Sequence, residues 1–153
     1  MISKEYIAGF VDGEGYLGII KKISKRSVNG YYYKTAVKIA QVSKNRFILD
    51  ELKRCYGGTV SKNRVHPGKN QRESVMWEIT GNKAVSKLLK HIYPSLIIKK
   101  HQADILIDFY KIGKSTNGVG GKYDVIRKDI DVKKTELYKR ILKLNHRGLA
   151  ETE

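Results

Sequence analysis

Asp12 and Glu14 are the residues of this sequence best placed to do chemistry. They stand two apart at the end of the stretch Tyr6-Ile7-Ala8-Gly9-Phe10-Val11-Asp12-Gly13-Glu14-Gly15. That stretch reads as a short apolar helix, so both carboxylates gather at its negative C-terminal end, where anionic charge is unfavourable. A divalent cation relieves that repulsion, and Mg²⁺ commonly takes one or two carboxylates together with water and phosphate oxygens. The plainer alternative is a solvated acid pair with no task. Gly9 and Gly13 lie four apart on one helix face, with Ala8 beside them. Each glycine inside a helix costs about 0.5–1 kcal/mol relative to alanine. Small residues at this spacing offset that cost if a second helix approaches backbone to backbone. An ordinary core helix, its glycines accommodating a neighbour, is the competing reading.

The background to these acids is strongly basic. Lys and Arg number 31 against 15 Asp and Glu, a net charge of +16 in 153 residues. Counterion release makes such a chain a strong phosphate binder, so nucleic acid is the first partner to consider. An anionic membrane is the rival, but no polybasic amphipathic helix stands apart from the fold-like pattern. No apolar run approaches the ~20 residues that span a bilayer, and no signal-peptide pattern opens the chain. Cys55 is the only cysteine, which excludes an internal disulfide framework and a cysteine-rich zinc site, and fits an intracellular, reducing compartment.

These groups must be positioned by an α+β chain. A helix is expected over 3–13, with Ser3 as N-cap, then strands over 16–24 and 31–42 joined by a polar turn. A helix over 45–56 stops at Gly57-Gly58. Strands near 58–65 and 73–80 flank a basic loop. A helix opened by Gly81 and Asn82 closes before Pro94, and a longer one spans about 95–112. Gly113–Gly121 reads as a mobile surface loop, and a last amphipathic helix, about 124–145, places Ile126, Ile130, Leu137, Ile141 and Leu144 at roughly helical spacing. The organisation is thus a core over 1–112, a Gly-rich loop over 113–123, and a C-terminal helical extension of the same domain over 124–153.

Period-two alternation assigns strand faces. Leu17, Ile19 and Ile23, with Tyr33, Thr35, Val37 and Ile39, form the core face. Ile20, Lys22, Ser24 and Arg26 point the other way, as do Tyr32, Lys34, Ala36, Lys38 and Ala40. Ser61, Asn63, Arg72, Ser74, Met76 and Glu78 extend that second face from the other hairpin. Lys21 breaks the alternation, which suggests a bulge or a shifted strand end. A basic, polar sheet face suits the DNA major groove, which admits a β-ribbon. A merely solvated sheet face is the alternative.

The segment Ile7-Ala8-Gly9-Phe10-Val11-Asp12-Gly13-Glu14-Gly15 resembles the nine-residue signature of the LAGLIDADG homing endonucleases. It matches at the Ala-Gly step, the Asp, the second acid and the final Gly. It departs in Ile for the first Leu, in Phe and Val within the helix, in Gly13 for an Ala, and in Glu14 for the usual second Asp. The family's αββαββα order covers about residues 3–112. Val37-x-Ile39-x-Gln41, Trp77-x-Ile79 with Gly81, and Pro94, Leu96 and Lys99 to Ala103 resemble further family patterns.

The resemblance implies a saddle-shaped antiparallel sheet that binds double-stranded DNA. One signature copy implies a homodimer whose helices cross at Ala8, Gly9, Asp12 and Gly13. It implies a site-specific homing endonuclease that breaks both strands of a long pseudo-palindromic target with Mg²⁺. In that frame Glu14 and the Gly13 carbonyl hold the metal, Gln41 positions water and Lys99 neutralises charge on the phosphorane. Asn45 or Arg46 joins them, and Asp12 serves capping and interface hydrogen bonds. An RNA-binding intron-splicing cofactor, or another non-catalytic nucleic-acid-binding protein such as a transcription regulator, on the same scaffold is the alternative function.

Overall fold

A computed structural model describes residues 2–27, 29–63, 72–114 and 123–146. Helix α1 spans Lys4–Glu14, and the Ser3 hydroxyl accepts the Tyr6 N–H at 3.2 Å, the N-cap expected of it. Strand β1, Gly15–Ile23, begins at the next residue with no intervening loop. Gly15 makes this junction possible, because a Cβ there would lie 2.5 Å from the Val11 carbonyl oxygen. A turn closed by Ser24 N–H to Gly30 C=O leads into β2, Tyr31–Val42.

A 3₁₀ turn at Ser43–Asn45 precedes α2, Arg46–Tyr56, and then come β3, Thr59–Lys62, and β4, Ser74–Thr80. Helix α3, Asn82–Ile92, passes through a 3₁₀ turn, Tyr93–Ser95, towards α4, Lys100–Lys114, and α5 covers Tyr123–Asn145. The sheet is wholly antiparallel in the order β1-β2-β4-β3.

The helices pack on one sheet face. Leu17, Ile19, Val37, Ile39, Trp77 and Ile79 meet Val11, Leu49, Leu52, Leu88, Leu89, Leu106 and Phe109 in one buried core. The other face remains open, as the alternation predicts. Helix α5 contributes Leu137 and Ile141 to that core. The Tyr31 hydroxyl donates to Asp131 at 2.8 Å, which raises the phenol's pKa, and Tyr33 and Thr135 share a 3.0 Å hydrogen bond. Asn145 donates its side-chain amide to the Leu17 carbonyl at 2.8 Å, so α5 satisfies one polar group of the edge strand β1.

Several expectations are corrected. The β1–β2 register runs unbroken from Gly15↔Ile39 to Ile23↔Tyr31, so Lys21 marks no bulge. Its side chain lies on the helix side beyond the core, with the ammonium 3.8 Å from the Tyr31 ring centroid. Ile23 and Leu144 stand where the apolar core has ended and are exposed, Ile23 to 92%. Ala36, assigned to the open face, is fully buried. Residues 96–99 are not helical, since α4 begins at Lys100. It then runs past Gly113, which removes Gly113 and Lys114 from the expected loop. Residues 115–122, the expected continuation of β3 over 64–65, and the side chain of Ile126 lie outside the described residues.

Candidate functional site

The chemistry converges where α1 ends. Glu14 is the last residue of the helix and is exposed, making no hydrogen bond or ion pair with a described residue. Asp12 is turned inward and is 7% exposed. Its Oδ2 accepts the Ile97 N–H at 2.7 Å and its Oδ1 accepts the Lys99 N–H at 2.9 Å. The Lys99 ammonium in turn donates to the Asp12 backbone carbonyl. Segment 96–99 is therefore pinned to the tip of α1 by a carboxylate 85 residues upstream. This is the reason it does not continue as helix, and it delivers Lys99 beside Glu14's end of the molecule. Both Asp12 oxygens are engaged within the chain, so its capping task is intramolecular.

Gln41 and Asn45 reach the same end from the sheet. Gly15 pairs with Ile39, so β2 extends past the start of β1 and carries Gln41 alongside the α1 terminus. Gln41 keeps the parity of the core residues and is half-buried, and its Oε1 accepts from Asn45 Nδ2 at 3.3 Å. Arg46 instead pairs along α2 with Asp50 at 3.1 Å on an exposed surface. The structure thus pairs Gln41 with Asn45 near the end of β2, ties Lys99 to Asp12 at the end of α1 beside Glu14, and engages Arg46 with Asp50.

A single chain offers a metal few donors. Among the described residues no group of three or more His, Cys, Asp or Glu side chains could hold an ion. One chain offers Glu14 and the last carbonyls of α1, including that of Gly13, which lack intrahelical donors. Oxygen donors of this kind, few per chain and open on one side, suit a hard cation that also takes water and phosphate oxygens.

Gly9 and Gly13 are exposed, and a Cβ on either would meet nothing within 4 Å. No described neighbour in this chain requires them to be glycine, so the ordinary core-helix explanation has no support among the described residues. Ala8, grouped with them from sequence, faces the other way and is fully buried in the core. Tyr6 is 51% exposed on the same stripe, half-buried Phe10 packs against the core with its ring 6.1 Å from that of Tyr6, and Ile97 and Ile98 are 83% and 69% exposed. Sequence patterning places those two isoleucines inside a helix; only their exposure marks them.

On the open sheet face, Lys22, Tyr32, Lys34, Lys38, Ser61, Ser74, Met76 and Glu78 lie in their expected strands, with Ile20 half-buried among them. Lys38 and Glu78 are direct cross-strand partners and form an ion pair at 3.1 Å. Asn63, one residue past β3, donates to the Ser74 hydroxyl at 2.9 Å. Ser24 and Arg26 belong to the β1–β2 turn, where the Ser24 hydroxyl accepts the Arg26 N–H. Arg72 precedes β4 and lines a groove with Val42, Ser43, Lys44 and Glu73. Tyr16 escapes the sequence reading. It lies across Gly18, where a Cβ would sit 2.3 Å from the Tyr16 hydroxyl oxygen.

Comparison with known proteins identifies the family and the fold. Residues 7–113 match the model of a family described as LAGLIDADG endonuclease. Comparison by sequence with curated proteins finds no match. Among solved structures, the homing endonuclease I-CvuI, in complex with an I-CreI target, superposes with a TM-score of 0.75 at 18% identity, covering 96% of this chain and 84% of that one. The archaeal intron-encoded homing endonuclease I-Vdi141I complexed with DNA gives 0.71 at 18% identity, over 98% of this chain and 88% of that one. The homing endonuclease I-TnaI gives 0.70 at 18% identity, over 94% and 97%.

Proposed function

The chain belongs to the LAGLIDADG endonuclease family and is a DNA endonuclease, and on that premise we propose that it works as a homodimer that cuts both strands of a long, roughly palindromic site with Mg²⁺. The observation that carries the reading is the exposed α1 stripe. Gly9 and Gly13 are costly in a helix and unneeded by any described residue of their own chain, and they lie open beside exposed Tyr6 and half-buried Phe10. A second α1 crossing there gives the glycines a purpose and draws two Glu14 carboxylates together. Ile97 and Ile98 extend the apolar surface that such a pairing covers.

Each chain's Glu14 and α1 carbonyls would hold the cation, which when bound polarises phosphoryl oxygens and lowers the pKa of water. The remaining work belongs to the side chains. Gln41, steadied by Asn45, orients a water for in-line attack. Lys99, fixed at its backbone by Asp12, offers its ammonium to the charge that grows on the phosphorane. The sheet's open face follows the major groove, and the +16 charge supplies phosphate affinity independent of sequence. DNA-bound complexes among the similar structures, including I-CvuI with its target in Ca²⁺, support DNA over an RNA cofactor role.

The test pairs Glu14→Gln with chelation. Glu14→Gln should lose all nicking while keeping specific DNA binding, and EDTA should silence the wild type reversibly. A variant that still cleaves removes Glu14 from the reaction, and cleavage that survives EDTA removes the metal.

A further inference from the structure

Among the described residues of the open sheet face, Glu78 is the only acid. A carboxylate on a surface turned towards a polyanion is costly unless something particular receives it. Lys38 stands directly opposite in the β2–β4 register and meets it at 3.1 Å, with both side chains about 30% exposed, at 31% and 29%. Tyr16 and Thr59 flank the pair in the same row, because Tyr16 pairs with Lys38 and Thr59 with Glu78. An ion pair this open contributes little to stability, about 0–1 kcal/mol at most sites, so packing does not account for it.

We propose that Lys38 and Glu78 act as one base-reading unit that selects a G·C pair in a fixed orientation, guanine towards β2 and cytosine towards β4. This rests on the reading of the open face as the major-groove surface. In that groove guanine presents O6 and N7 as acceptors and cytosine presents its N4 amino group as donor, side by side. The protein offers the complementary order, an ammonium donor and a carboxylate acceptor a hydrogen-bond length apart. Lysine to guanine and glutamate to cytosine N4 are each established matches, and here the strand register holds them to a single base pair. The reversed pair, C·G, would set the amino group against the ammonium and guanine's acceptors against the carboxylate. The pair therefore rejects by repulsion as well as selecting by attraction.

The experiment is a binding-site selection on a randomised duplex library in Ca²⁺, with the wild type, Lys38→Met, Glu78→Gln and the exchanged double variant Lys38→Glu/Glu78→Lys. The two single variants should relax the same base pair, each by about tenfold or more in preference. The double variant should keep the ion pair and invert the preference from G·C to C·G at that position alone. Single variants that relax two different positions, or an exchange that leaves the profile unchanged, overturn the proposal. A wild type that selects no sequence at all instead overturns the DNA-reading surface on which it rests. Circular dichroism of each variant separates a folding defect from a change of specificity.

Discussion

Asp12 offers the sharpest test of how this site is built. Its two oxygens accept the backbone N–H groups of Ile97 and Lys99 at 2.7 and 2.9 Å in a setting that leaves it 7% exposed. Hydrogen bonds to a charged acceptor contribute about 1.5–3 kcal/mol each, and a buried donor left unmet costs about 1–3 kcal/mol. Asp12→Asn preserves the shape, weakens one bond by removing the charge, and turns an amide N–H₂ against the other backbone N–H. The sum is a loss of about 2–4 kcal/mol. A domain of about 5–15 kcal/mol stability survives that loss folded. With a urea slope of about 2 kcal/mol/M, the unfolding midpoint should fall by about 1–2 M. Amide exchange at Ile97 and Lys99 should accelerate more than in the core of α3. Cleavage should drop while DNA affinity holds, since Lys99 loses its anchor and the sheet does not. If the midpoint moves by less than about 0.3 M and exchange at 97 and 99 is unchanged, the clamp is refuted. If sedimentation shows instead that dimerisation alone is lost, Asp12 belongs to the subunit interface.

Two glycine positions test the middle of α1 and its junction with β1 separately. Gly9→Ala meets nothing within 4 Å, so it should stabilise the isolated subunit by up to about 1 kcal/mol through helix propensity while weakening self-association. Gly9→Leu should leave a folded monomer, and an unchanged dimer in sedimentation would count against the crossing-helix contact. Gly15→Ala forces a Cβ to within 2.5 Å of the Val11 carbonyl oxygen and should cost about 1–3 kcal/mol in thermal unfolding. A wild-type melting point would mean that the junction between α1 and β1 adjusts freely.

Local signals are enough to read the elements of the core. Ser3 as N-cap, Gly57 after α2, Gly81 before α3 and Pro94 after it all punctuate the chain, and period-two alternation separates Val37 and Ile39 from Lys34 and Lys38. The failures share a cause, which is dependence on partners distant in sequence. Leu96-Ile97-Ile98 reads as the start of a helix, and only the Asp12 carboxylate reveals that this backbone is held otherwise. Apolar Ile23 belongs to the core by parity, yet the core stops short of it. Ala8 groups with Gly9 by size, although the helix turns it to the opposite side. Asp12 and Glu14 stand out by their place at the end of an apolar helix, whereas Gln41 and Lys99 are singled out only through the resemblance of their motifs. The Lys38–Glu78 pairing requires the strand register, which faces alone do not determine.

The direct passage from Glu14 into Gly15 has a consequence for how such a nuclease changes its target. If Glu14 acts on the scissile phosphate and β1 on the bases, as proposed, the two belong to one continuous, stiff piece of backbone, with no slack to lengthen or shorten. Substitutions along the sheet can rewrite which nucleotides are favoured, but the offset between those nucleotides and the break is set like the jaws of a fixed-gauge tool. New specificities should therefore arise with the same overhang geometry, and a change in stagger would demand rebuilding the spine of the protein.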